Sequence, residues 1–218
     1  MKSNESLQKD VQDAIMFEPL LHAAEIGVTA LDGIVTLTGT VNSYAKKLEA
    51  EEATKRTAGV KAIVENIKVQ FGAETKKTDI EIATDVLNIL KWNWEVTSEN
   101  VKVEVENGWV TLSGELHWNF QKVAAQNSVN NLLGIKGITN NITIKIGKND
   151  LIEKKDIERA IANNWAIEDK NINVSVSANN VTLKGSVNSI FEKDEASRLA
   201  WNALGVCTVN NELVVEYY

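Results

Sequence analysis

Gly108-Trp109-Val110-Thr111-Leu112-Ser113-Gly114 decides the reading of this chain, because it occurs three times. It stands earlier as Gly33-Ile34-Val35-Thr36-Leu37-Thr38-Gly39 and later as Asn179-Asn180-Val181-Thr182-Leu183-Lys184-Gly185. Its alternation puts Val110 and Leu112 on one side of a strand, as it does Val35 and Leu37, and Val181 and Leu183. The closing glycines Gly39, Gly114 and Gly185 are each followed, at one fixed spacing, by Gly59, Gly134 and Gly205. They are preceded, again at one spacing, by Asp10, Asp85 and Asp156. The copies recur at intervals longer than the ~20–50 residues of a solenoid repeat, so each reads as a small domain.

Around the motif each copy has the same order of elements. A helix opens it, with Asp10, Asp85 or Asp156 expected in the first turn, where a carboxylate favours the helix dipole. Its apolar face is Val11, Ala14, Ile15 and Phe17 in copy one, with Pro19 ending the helix. In copy two it is Val86, Ile89, Leu90 and Trp94, and in copy three Ile157, Ala160, Ile161 and Trp165. A strand follows, clearest in Val101-Lys102-Val103-Glu104-Val105 and Ile172-Asn173-Val174-Ser175-Val176 and weaker in Ile26-Gly27-Val28-Thr29-Ala30. Asp32-Gly33 and Asn107-Gly108 supply the positive φ of a tight hairpin, and Asn179 is expected to do so in copy three. The motif is then the second strand, which its closing glycine is expected to end.

A second helix is expected near 43–58, 118–133 and 189–204, with Ser43 and Ser189 suited to N-caps and Gly59, Gly134 and Gly205 to C′ caps. A third strand, near 63–69, 138–144 and 209–215, closes each unit. The fold class is therefore α+β: three tandem αββαβ domains, at 1–71, 78–146 and 151–218. Each is a three-stranded mixed sheet covered on one face by two helices, because the crossover helix makes the third strand parallel to the second. Short linkers around 72–77 and 147–150 join them.

The G-x-V-T-L-x-G strand, the glycine that follows it at fixed spacing and the closing strand resemble the BON domain over almost the whole chain, three times. That family is named after a bacterial osmotically inducible periplasmic protein and a nodulation-related group. The resemblance implies a non-enzymatic binding or scaffold protein linked to envelope maintenance, osmotic-stress protection and phospholipid or protein contact.

Composition narrows the partners. The 218 residues are 44% hydrophobic and 24% charged, with a net charge of −7. An acidic chain is repelled on average by nucleic acid and by anionic headgroups, and no nucleic-acid partner is expected. No apolar run approaches the ~20 residues of a transmembrane helix, and residues 1–10 lack the apolar core of a secretory signal. The chain as given reads as cytoplasmic, and as periplasmic if a signal has been removed. Cys207 is the single cysteine, so no disulfide forms within the chain.

No Walker loop, nucleophile elbow or zinc helix occurs, so no catalytic residue, cofactor or metal is expected. His22 and His117 read as surface or turn residues, and Cys207 as inert. Glu49, Glu51 and Glu52 read as a solvated helix face partnered by Lys46, Lys47 and Lys55. The six tryptophans carry the remaining signal. Trp94 and Trp165 occupy equivalent places at the end of the first helix and are expected in the core; Trp92 is ambiguous. At the places of Trp109, Trp118 and Trp201 other copies tolerate polar groups, with Ile34 and Asn180 as the counterparts of Trp109. These three tryptophans either fill contacts between domains or protomers, or form a candidate binding patch centred on Trp109 and Trp118. A cytosolic small-ligand or ion sensor, or a chaperone-like partner protein, is the alternative class; oligomeric state is left open.

Overall fold

The computed structural model describes residues 3–21, 26–72, 76–145, 152, 154–167, 171–203 and 205–216. In copy one the order is α1 (Asn4–Phe17), β1 (Ile26–Leu31), β2 (Ile34–Val41), α2 (Tyr44–Arg56) and β3 (Ala62–Val69). Copy two contains α3 (Asp79–Trp92), a 3-10 turn at Ser98–Asn100, β4 (Val101–Glu106), β5 (Trp109–Leu116), α4 (Asn119–Asn130) and β6 (Gly137–Ile144). Copy three contains α5 (Lys154–Ala162), β7 (Ile172–Ser177), β8 (Asn180–Val187), α6 (Ile190–Trp201) and β9 (Thr208–Val215). This is three αββαβ modules, as the sequence implies. His22 and parts of both linkers lie outside the described residues.

Each sheet has the motif strand in its centre. In copy two β4 runs antiparallel to β5, with Val103 opposite Leu112 and Val105 opposite Val110. β6 runs parallel to β5, with Trp109 opposite Gly137 and Leu112 opposite Asn140. Copy three repeats this register with Val174 opposite Leu183 and Asn180 opposite Thr208. The strand alternation buries Val110, Leu112 and Leu116, and the helical spacing i, i+4, i+8 buries Ile82, Val86 and Leu90 against them. The second helix meets the sheet through a small residue at one place in every copy: Ala50, Ala125 and Ala196 are fully buried. A methyl group there lets the helix backbone approach the strands closely.

The chain divides into two compact units. One holds residues 39–49 and 67–145; the other holds 1–38, 50–66 and 146–218. In the first, Tyr44 of α2 is buried in the core of copy two and Leu48 packs on it. In the second, Trp201 lies against the core of copy three with Leu199 and Val209.

Several local expectations are corrected. α1 and α3 begin more than a turn earlier than expected, so Asp10 and Asp85 sit inside their helices, while Asp156 does stand in the first turn of α5. The start of α3 is set instead by Thr78, whose hydroxyl accepts from the Glu81 amide while Glu81 Oε2 accepts from the Thr78 amide. Gly114 and Gly185 do not end their strands, each of which runs two residues further. They are glycine because φ is +137° and +126° and the carbonyl of the residue just before the neighbouring strand, Asn100 or Asn171, crosses where a Cβ would stand. The left-handed residue of the third hairpin is Ala178, with φ 51°. Gly134 and Gly205 fall after the helix caps Asn131 and Asn202, in the turn towards the third strand rather than at C′.

Candidate functional site

The largest departure from the sequence reading is at the end of the first helix. Trp94 and Trp165, expected in the core, are 90% and 97% exposed. Asn93 and Asn164 produce this. Asn93 follows the last residue of α3, its side-chain amide donates to Ser128 Oγ on α4 at 2.7 Å, and its Oδ1 accepts from the Glu95 amide at 2.9 Å. Asn164 does the same with Glu195 Oε1 on α6 at 2.8 Å and the Ala166 amide at 2.9 Å. A backbone turn closes from Val96 N to Asn93 O and from Ile167 N to Asn164 O. The asparagine is thus pinned inward, the next residue stands at the outer corner, and Val96 or Ile167 returns to the interior. The repeated signal Asn-Trp-x-Val/Ile carries this geometry.

Copy one builds the corner with other residues. Leu21 N bonds to Glu18 O and Leu21 is buried, while Met16, Phe17 and Leu20 are all more than half exposed. Trp92, left ambiguous by sequence, is 85% exposed beside Trp94. On the outer side of α3, Ile80 and Leu87 are also exposed. Every copy therefore carries large apolar side chains in water at one equivalent place. Exposed aromatics of this kind mark contact surfaces.

Trp109 and Trp118, the centre of the candidate patch, are not brought together. Trp109 opens β5 and is half exposed, its indole lying over Gly137 of β6. Trp118 stands beyond the other end of β5 as the N-cap residue of α4, so the two are separated by the strand length, roughly 25 Å. Trp118 shares its end with exposed Phe120 and Val123. Trp201 belongs to the other compact unit, half-buried on the core of copy three.

A groove of about 510 Å³ opens at the Trp109 end of copy two. It is lined by Phe71, Lys76, Lys77, Thr78, Asp79, Asn107, Gly108, Gly134 and Lys136. Asp79 Oδ2 and Oδ1 accept from the amides of Asn107 and Gly108 at 2.8 and 2.9 Å, fastening the hairpin turn to α3. Lys136 Nζ donates to Asn107 O at 2.8 Å, and Lys77 pairs with Asp85. These residues come from four separate stretches, and no local sequence signal joins them.

Charged groups elsewhere are structural. Lys55 lies 3.1 Å from Glu51, 3.2 Å from Glu52 and 3.4 Å from Asp194 of copy three. Burial opposes its charge, but the carboxylates of Glu51 and Glu52, then Asp194, raise its pKa above the ordinary lysine value. Lys47 donates to Ile67 O, as Lys193 does to Leu213 O. Lys122 holds the equivalent place in α4, where burial lowers its pKa. His117 is exposed and its amide donates to Gln121 Oε1. Cys207 is half-buried, with Sγ 3.6 Å from Gly205 O. Among the described residues, no group of three or more His, Cys, Asp or Glu is placed to hold a metal, and no helix is long and apolar enough to cross a membrane.

The chain thus repeats one small αββαβ module three times, each with an outward apolar corner. The model of the BON domain matches residues 3–70, 78–146 and 149–217, and the chain belongs to that family. It is similar to the osmotically-inducible protein Y of Escherichia coli strain K12, 27% identical over 139 residues that span 62% of this chain and 69% of that protein. It also aligns with two solved structures of CdsD, a structural protein of the type III secretion system of Chlamydia trachomatis. One is described as its C-terminal domain, and both are 18% identical with a TM-score of 0.26. The first match covers 99% of this chain and all of that one, the second 97% and 92%. A score that low carries no argument.

Proposed function

We propose that this protein is a non-enzymatic, stress-associated binding protein that docks on the interfacial region of phospholipid membranes through its aromatic corners. The observation that carries the reading is the near-complete exposure of Trp92, Trp94 and Trp165, held outward by inward-bonded Asn93 and Asn164. Indole suits the headgroup level of a bilayer, where its apolar ring is buried and its N–H stays wet. The association with stress comes from the name of the Escherichia coli relative.

The net charge of −7 sets the mode of binding. Attraction to anionic lipid is weak or repulsive, so apolar insertion supplies the free energy. Co-sedimentation of the full chain with phosphatidylcholine vesicles tests this, alone and with anionic lipid added. Binding to the zwitterionic vesicles that persists in high salt, and is lost in Trp92→Ser/Trp94→Ser/Trp165→Ser, is the expected result. Binding that needs anionic lipid and disappears with salt would remove the proposal, as would wild-type binding by the triple variant. An unfolded variant is recognised by its far-ultraviolet circular dichroism.

A further inference from the structure

We infer that the groove beside the copy-two hairpin binds the phosphate-monoester group of a ligand, independently of the aromatic corners. Three lysines line it, Lys76, Lys77 and Lys136, against one carboxylate, Asp79, in a chain that is acidic as a whole. Asp79 spends both oxygens on the hairpin amides, and Lys77 is neutralised by Asp85. Lys136 bonds a neutral carbonyl and keeps its full charge; Lys76 is exposed. The lining therefore sets three ammonium groups against the Asp79 carboxylate, and with Asp85 paired to Lys77 a net positive charge remains at the groove, which suits an anionic phosphate group. The amides at the start of α3 contribute little, because Thr78 and Glu81 already cap them.

The repeat supplies a comparison within one chain. Where copy two has the neutral Asn107, copy one has the acidic Asp32 and copy three has Ala178. Where copy two has Lys136, copy three has Cys207, and where it has Lys76, copy three has Gly147. Copy one keeps a lysine, Lys61, at the place of Lys136, so at these places copy two differs from copy one by Asn107 for Asp32 and from copy three by Lys136 for Cys207. The groove's volume of about 510 Å³ admits a small molecule, and Phe71 offers a ring for the ligand's remainder.

The test is a two-dimensional amide NMR titration of the full chain with inorganic pyrophosphate, at constant ionic strength set by chloride. A parallel arm measures binding to vesicles with and without phosphatidic acid. Saturable shifts at Lys76, Lys77, Asn107 and Gly108 are expected, weakened about tenfold or more in Lys76→Gln/Lys136→Gln. Lys76→Gln alone touches no packed group and reports the same direction with the fold intact. Saturation by pyrophosphate identifies a soluble phosphorylated ligand; response only to phosphatidic acid, lost in the same variants, identifies a headgroup. No saturable response in either arm, or equal binding by the double variant, would overturn the inference.

Discussion

Gly114 and Gly137 make a matched pair of substitutions on the central sheet of copy two. A Cβ at Gly114 would stand 3.1 Å from the Asn100 carbonyl carbon and 3.4 Å from Val101 Cα, with the carbonyl oxygen closer still. Those atoms are backbone, locked by the pairing of Val101 with Gly114, and φ at Gly114 is +137°. Forcing an L-residue into that conformation costs about 1–3 kcal/mol, and overpacking a fixed neighbour costs about 1–3 kcal/mol more. Gly114→Ala is therefore expected to destabilise the protein by about 2–6 kcal/mol, a large part of the ~5–15 kcal/mol that holds a domain together. A Cβ at Gly137 would stand 2.7 Å from Trp109 Cη2, with two further ring atoms closer, but here the obstacle is a half-exposed side chain that can swing away. Its cost is about 1 kcal/mol, with a red shift in indole emission as Trp109 leaves its seat. Urea unfolding followed by circular dichroism and fluorescence measures both. If Gly114→Ala costs no more than Gly137→Ala, the reasoning from positive φ and close backbone approach is wrong.

Other predictions rest on separate features. Trp94→Ser and Trp165→Ser leave stability within about 0.5 kcal/mol, because exposed rings contribute little to the fold. Each weakens vesicle binding by about 60-fold, if burying half of a ~200 Å² indole is worth ~2.5 kcal/mol. Ala178→Asn, replacing a left-handed alanine with the residue found at the copy-two hairpin, raises stability by about 0.5–1 kcal/mol in thermal unfolding. Glu195 has its pKa lowered chiefly by the Arg198 hydrogen bonds at 2.7 and 2.6 Å, then by Asn164. Its contribution is present above the ordinary carboxylate range and lost as pH falls through the lowered folded value, so Glu195→Gln flattens the acid limb of stability against pH. Asn93→Ala removes two hydrogen bonds and lets the corner relax, which hydrogen exchange at Glu95 and Val96 would register; unchanged exchange would refute the pinning role of Asn93.

The corners show why burial was harder to read than secondary structure. Trp94 continues the apolar periodicity of α3, so its helical phase points to the core. The helix, however, stops at Trp92, and Asn93 takes the inward place by reaching Ser128, a residue 35 positions away. The equivalent repeat at Asn164-Trp165 was visible as a pattern, but only the distant acceptor on the second helix tells which of the two residues turns in. Asn140 and Asn211 are a second case, not singled out from sequence. They recur at one offset, yet their bonds to Lys122 O and Lys193 O, which tie the crossover helix to the third strand, depend on packing.

Alternation, helical spacing and turn glycines act over a few residues, so the chain by itself determined the threefold αββαβ order, the hairpins and the buried faces of the motif strands. The tertiary structure alone decided what depends on distant atoms. The Asn100 carbonyl makes Gly114 an interior strand residue, and the length of β5 keeps Trp109 from Trp118. The lysine groove assembles from stretches between Phe71 and Lys136. Local pattern specifies the conformation of a segment, whereas exposure and convergence are set by what the rest of the chain places beside it.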